Sequence, residues 1–167
     1  MTQTTGLFWR AFLAFLALPA IVAFLLPWLL RPSGARFHAA ALPLLALGTA
    51  LLLWSVREFY VAGRGTLAPW APPTRLVTVG LYRFSRNPMY VAVVLILAAW
   101  AVGFGSLALA LYAASVALAF HLRVVTYEEP RLARTFGADW RAYRARVPRW
   151  FGRRFTRMAD EHRDAAG

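Results

Sequence analysis

Apolar residues come in long uncharged runs along this chain, and the charges are gathered into short stretches between them. Ala11 to Leu30 is the first such run. At 1.5 Å rise per residue, roughly twenty residues reach roughly 30 Å, the thickness of bilayer hydrocarbon. A signal peptide would have a shorter apolar core, a basic start and a small-residue cleavage site. Here Arg10 is the only early charge and the run is long, so a retained helix is expected. Pro19 and Pro27 should kink it, which membrane helices tolerate where neighbours satisfy the freed carbonyls. The turn Arg31-Pro32-Ser33-Gly34 ends it. Phe37 to Val56 is a second run, with Arg57, Glu58 and Tyr60 at its exit. Asn87 to Leu122 carries no formal charge, and Gly103-Phe104-Gly105-Ser106 divides it. Each half, about sixteen residues, reaches about 24 Å, slightly short of the hydrocarbon. The pattern predicts a helical hairpin with a tight far-side turn. Its open ends would bring Arg86, Asn87 and Tyr90 near Arg123, Glu128 and Glu129.

The predicted fold class is therefore all-α and polytopic: four transmembrane helices and a cytoplasmic C-terminal helical tail in one membrane domain. The spans fall at about 11–30, 37–56, 87–103 and 106–123, with a loop at 57–86, a cofactor-capping segment at 124–150 and a tail at 151–167. Arginine counting sets the orientation. Arg57, Arg64, Arg75, Arg83 and Arg86 lie in the large loop, and Arg123, Arg131 and Arg134 follow the fourth span. The first loop has only Arg31 and Arg36, and the hairpin turn has none. Both termini and the large loop are expected in the cytoplasm, with the chain in a bacterial inner membrane. Within that loop, Gly63 to Pro73 holds three prolines and two glycines, and is not a helix. Leu67 and Trp70 should fold it against the membrane face. Thr126 and Glu129 have capping-box spacing, so either a new helix starts there or the fourth span runs straight on. Trp140 to Arg144 reads as a short basic, aromatic helix closed by Pro148. Arg149-Trp150-Phe151 and Arg153-Arg154-Phe155 read as an interfacial anchor on anionic lipid.

Composition narrows the class. The 167 residues suit one domain, and 60% of them are hydrophobic, with mean hydropathy +0.51, too apolar for a soluble domain of this size. Cysteine is absent, which removes disulfides and thiolate metal sites. His38, His121 and His162 show no ligand spacing, so no metal is expected, and each reads as an interfacial or tail histidine. The net charge of +12 comes from arginine alone, since there is no lysine. On so apolar a chain it points to anionic lipid headgroups and away from nucleic acid.

Gly80 to Tyr90 packs two arginines, two tyrosines, an asparagine and a proline against the mouth of the third span. A positive-inside flank with interfacial tyrosines accounts for those residue types, and so does a ligand site. Glu128-Glu129 is open in the same way: acids at a helix N-terminus offset its dipole, or one of them binds a cationic or hydroxyl-rich cofactor. Taken together, the groups suit a zwitterionic ligand. Arginine takes its carboxylate, glutamate its hydroxyls or ammonium, and aromatic rings its cationic centre.

The run Gly80-Leu81-Tyr82-Arg83, then Arg86-Asn87-Pro88-Met89-Tyr90, resembles the G-P-Y-R-x-x-R-[HN]-P-x-Y signature of the isoprenylcysteine carboxyl methyltransferase and phospholipid methyltransferase family. Glu128-Glu129, Leu132, Phe136-Gly137, Trp140, Tyr143 and Val147-Pro148 are similar to its E-E-x-x-L-x-x-x-F-G-x-x-Y-x-x-Y-x-x-x-V-P tail, and Gly63 to Pro73 resembles a loop of bacterial members. The likeness covers roughly residues 57–150. It implies a helical membrane enzyme that moves a methyl group from S-adenosyl-L-methionine to a lipophilic acceptor at the cytoplasmic face. By position, Arg86 and Asn87 would be the catalytic pair. Tyr82, Arg83, Asn87, Tyr90, Glu128, Glu129 and Tyr143 would hold the cofactor.

Asn87 stands where many members have histidine, and Trp140 where tyrosine is usual. Asn87 is no general base. Transfer from a sulfonium is an in-line displacement with a neutral leaving group, so alignment and exclusion of water matter most. That favours a carboxylate or thiol acceptor over an amine. Glu129 is expected to matter more to the cofactor than to the fold. Two rival readings stand beside this one: an NADPH-dependent reductase of the sterol-reductase type, and a non-enzymatic membrane scaffold. The paired acids disfavour the first, because they would repel cofactor phosphates.

Overall fold

The computed structural model describes residues 19–63 and 75–151, and every regular element among them is helical. α1 (Ile21–Leu30) opens with a π-helical turn over Ile21–Leu25, in which Leu26 N–H reaches back to the Ile21 carbonyl. Pro27 explains the turn. It has no N–H to give, so the carbonyls of Val22 and Ala23 lose the partner that position 27 would supply. Both are met from other helices: the Tyr112 hydroxyl donates to Val22 O at 3.1 Å, and Trp100 Nε1 donates to Ala23 O at 3.0 Å. The π-helical turn accommodates Pro27, and the freed carbonyls are satisfied by neighbours. Pro19 lies at the edge of the described residues, and the part of the first span before it lies outside them.

α2 (Leu42–Gly63) follows a single 3-10 turn at Ala39–Ala41. α3 (Pro88–Phe104) is apolar on every side and sits between α2 and α4 (Leu107–Arg123), the arrangement expected of an all-round hydrophobic helix. Between helices in lipid the drive is close packing more than water exclusion. Gly48 of α2 supplies it: a Cβ there would lie 2.8 Å from Ile96 Cγ1 and 3.0 Å from the Ile96 backbone nitrogen of α3. Ile96, Leu97 and Ala92 are almost wholly covered at this seam.

The hairpin turn forms where the sequence put it. Gly105 takes φ 58°, the left-handed region that closes a helix without a Cβ penalty. Ser106 then caps α4, its side chain accepting from Leu109 N–H. α4 does not stop at Arg123. A second π-helical turn, Val124–Glu128, joins it to α5 (Glu129–Arg146), with Glu129 N–H bonded to the Val124 carbonyl. Pro130 stands two residues beyond this turn, as Pro27 stands two residues beyond the first. Of the two readings left open at Thr126, continuation holds: its hydroxyl donates to Leu122 O at 2.7 Å and caps nothing. Gly137, at φ 47°, ψ −111°, breaks the helical path inside α5. Trp140, Tyr143 and Val147 beyond it close on Leu76, Leu132 and Phe136 as a second small core.

Among the described residues, two helices are long and apolar enough to cross a membrane: Ala39–Glu58 and the apolar half of Leu107–Arg146. Ile21–Leu30 and Pro88–Phe104 are apolar but shorter. Large apolar side chains stand outward on α1, α2 and α4, including Leu29, Leu53, Leu107 and Leu118. The loop expected to fold Leu67 and Trp70 onto the membrane face, and the tail after Phe151, lie outside the described residues.

Candidate functional site

The hairpin brings its two open ends together, and the segment after α5 crosses over them. Gly80–Arg83 forms a 3-10 turn, Ser85 and Arg86 are buried, and Asn87 leads into α3 with Pro88 at its first position. The crossing strap, Val147 to Phe151, is stitched to this entry. Arg86 N–H donates to Pro148 O at 3.0 Å, and Asn87 Nδ2 and the Ser85 hydroxyl donate to Arg149 O at 3.0 Å and 3.3 Å. The Ser85 oxygen in turn accepts from Asn87 N–H at 3.1 Å. Below, the Tyr143 hydroxyl donates to Tyr82 O at 2.7 Å.

At the centre of these contacts is Glu129. Arg86 Nη1 donates to Oε1 at 2.9 Å, while Arg149 donates through Nε to Oε1 at 2.7 Å and through Nη2 to Oε2 at 2.9 Å. Only 3% of the Arg86 side chain and 9% of the Glu129 side chain are exposed, so the pair is shielded from water. The Arg86 guanidinium also lies over Trp140, 5.4 Å from the ring centroid. Burial opposes the charge on Glu129. The Arg149 hydrogen bonds, then the charges of Arg86 and Arg149, outweigh it and hold the carboxyl below its ordinary value. The same bond to Glu129 raises Arg149. Burial pushes the Tyr82 and Tyr143 hydroxyls well above the usual tyrosine range.

Glu128 has a different setting. Its Oε1 accepts from the Tyr90 hydroxyl at 2.5 Å and from Arg123 Nε at 2.8 Å. Its side chain is 27% exposed, and Oε2 has no partner among the described residues. The Tyr90 ring stacks on Phe120 with centroids 4.3 Å apart. Beside that stack an apolar cleft of about 360 Å³ opens between α3 and α4, walled by Val91, Val94, Leu95 and Ala117 and ending at His121, Trp150 and Phe151.

Of the residues the sequence singled out, Arg86, Asn87, Tyr90, Glu128 and Glu129 come together at one end of the hairpin, with Tyr82 and Tyr143 joined just below. Arg83 does not join them: it is exposed and bonded to none of the described residues. Arg149 requires a correction. It is no lipid-facing anchor, because its guanidinium turns inward onto Glu129. Its place directly after Val147-Pro148 gave no sign of this, since its flanks are those of a lipid anchor. Phe120 and His121 carried no signal of a cleft, since the one reads as another residue of an uncharged span and the other as an interfacial histidine. No cluster suited to a metal ion is present among the described residues.

Both halves of this site, with the hairpin that joins them, fall within residues 37–139 except for Trp140, Tyr143 and the strap. A family model described as phospholipid methyltransferase matches that same interval, more than half of the chain. The chain belongs to the phospholipid methyltransferase family. Membership makes it a membrane methyltransferase, and hence an enzyme. Comparisons with curated proteins and with solved structures return no match. In this phospholipid methyltransferase family member the cleft has apolar walls and a charged cluster at one end.

Proposed function

We propose that the chain transfers a methyl group from S-adenosyl-L-methionine to a lipophilic acceptor lying in the cleft between α3 and α4. The observation that carries this reading is the bond from Tyr90 to Glu128, which ties the polar cluster to the wall of the apolar cleft. The donor set fits the cofactor. A sulfonium cation favours aromatic faces and a nearby carboxylate, and Tyr90, Phe120 and Glu128 supply them. Glu128 Oε2 remains open to accept from an ammonium or a ribose hydroxyl, whereas both oxygens of Glu129 are taken. Glu128 and Tyr90 are the cofactor-facing groups in this reading. Glu129, Arg86 and Asn87 position the strap that covers them, with Tyr82 and Tyr143 bracing it from below. Arg83 has no part in it.

The bound cofactor supplies an electrophilic methyl whose departure leaves a neutral thioether. The protein's task is to align the acceptor and keep water away. Neither Asn87 nor Glu129 is placed to take a proton, so an acceptor that is already anionic, a carboxylate or thiolate, suits the site. The proposed topology is four spans, with α1 and α3 completing the bilayer crossing beside α2 and α4, and with both termini and the strap in the cytoplasm. The acceptor arrives sideways from the bilayer.

The test is methyl transfer from isotope-labelled cofactor into membrane lipid extracts, with a calorimetric titration of the purified protein against S-adenosylhomocysteine. Label in an acidic lipid fraction and saturable binding are expected. Clear preference for amine lipids would overturn the acceptor class. Binding of reduced nicotinamide dinucleotide phosphate in place of S-adenosylhomocysteine would overturn the cofactor.

A further inference from the structure

His121 stands on α4 at the end of the cleft, one residue beyond Phe120. Its Nδ1 accepts from Trp150 Nε1–H at 3.3 Å, and the two rings lie 6.0 Å apart at a 32° tilt. The indole N–H is a donor only, so Nδ1 must carry the lone pair. The single proton of the neutral imidazole is then on Nε2. While Trp150 holds it, His121 offers the cleft a donor and no acceptor. Nε2 has no partner among the described residues.

The other polar groups at this end are committed. The Tyr90 hydroxyl donates to Glu128, and Trp150 Nε1–H donates to His121 itself. Among the described residues the cleft thus has long apolar walls and one uncommitted donor at its end. We infer that the His121–Trp150 pair is a head-group subsite, in which Nε2–H donates to an anionic oxygen of a lipid whose chain lies along Val94 and Leu95. A cleft of about 360 Å³ is within the usual range of ligand pockets. Carboxylate and phosphate oxygens share the required chemistry, while an amine head group offers no acceptor when protonated. The subsite deepens the methyl-acceptor reading and rests on it for the identity of the cleft. His121 is here a specificity-determining residue and not a proton acceptor.

The experiment uses the full chain in phosphatidylcholine nanodiscs. Brominated stearate, a lysophosphatidate with the same brominated chain, and the corresponding brominated amine are titrated against tryptophan fluorescence. Saturable quenching by one or both anionic lipids is expected, with the tighter of the two naming the head group. His121→Phe, which keeps a flat ring and loses the donor, should weaken that binding about tenfold, the usual worth of a hydrogen bond to a charged group. Its affinity for S-adenosylhomocysteine should not change. Nitrogen shifts of isotope-labelled histidine should report the Nε2–H form for His121, and Trp150→Phe should relax it to a mixture. Anionic binding that survives His121→Phe at wild-type strength overturns the inference. So does amine binding as tight as stearate, or an Nδ1–H histidine. Loss of S-adenosylhomocysteine binding in the wild type would strike the methyltransferase reading instead, and the lipid titrations would still decide the subsite.

Discussion

Adjacent glutamates with one charge each should fail in opposite ways when neutralised. Glu129→Gln removes the counter-ion of two arginines, one of which is 97% covered. Losing one member of a buried, hydrogen-bonded pair destabilises by about 3–5 kcal/mol, because the remaining charge is stranded. Arg149 is 29% exposed and recovers part of its hydration, so the lower end, about 3 kcal/mol, is the better figure. Glu128→Gln leaves no buried charge behind. Arg123 is 58% exposed, and the amide oxygen still accepts from Tyr90, so the fold should lose no more than about 1 kcal/mol. Its effect should appear instead in the cofactor, as about a tenfold loss of S-adenosylhomocysteine affinity. Denaturant unfolding in detergent micelles and calorimetric titration measure the two quantities on the same samples. If Glu129→Gln unfolds like wild type yet binds poorly, the carboxylate between the arginines is the ligand group and the assignment of roles is reversed.

Four further outcomes follow from the structure. The carboxyl of Glu129 is held below its ordinary value, so its contribution is fully present above about pH 4.5 and is lost as pH falls below that, through the folded-state value; acid unfolding should be shallower in Glu129→Gln. Tyr82 and Tyr143 are raised, so their contribution is present below pH 10 and is lost as pH rises past it; Tyr143→Phe should flatten the alkaline limb of the unfolding profile. Trp100→Phe strands the Ala23 carbonyl that Pro27 set free, and in lipid this should lower stability by about 0.6 kcal/mol, at most about 1.7, with methyl transfer retained. Gly48→Ala forces α2 off the Ile96 backbone and should destabilise by about 1–3 kcal/mol in the same unfolding assay.

The sequence carried the hairpin because a helix-length uncharged run divided by Gly-Phe-Gly-Ser admits few other folds, and Gly105 and Ser106 take the roles their chemistry predicts. The meeting of Arg86 with Glu129 and of Tyr90 with Glu128 followed from that hairpin alone. What resisted reading was the direction of single side chains. Arg149 has the same flanks as a lipid anchor, and only the strap hydrogen bonds to Ser85, Arg86 and Asn87 turn it inward. His121 sits in an apolar run whose pattern does not say which face opens on a cleft. Thr126 has capping-box spacing but no helix start to cap, because α4 never ends.

That continuity is what lets neighbouring acids serve two places. Consecutive residues of a helix diverge by about 100° of rotation, so Glu128 and Glu129 never share a target on one face. The π-helical turn that Pro130 accompanies sets where this divergence falls: Glu128 is directed to Tyr90 and the cleft, Glu129 to Arg86 and the strap. The corresponding turn before Pro27 shows how the fold tolerates it, with freed carbonyls either bonded by neighbours or, at Val125 and Thr126, left on an exposed surface. Replacing Pro130 by alanine restores the missing N–H and with it the incentive for a regular α-helical turn. Regularising the turn shifts the register of α5 against α4 and pulls one of the two acids off its partner. Pro130→Ala should therefore impair both denaturant stability and S-adenosylhomocysteine affinity, where each glutamate variant impairs chiefly one. A Pro130→Ala protein that keeps both at wild-type levels would show that the strap, and not the turn, sets the positions of the two carboxylates.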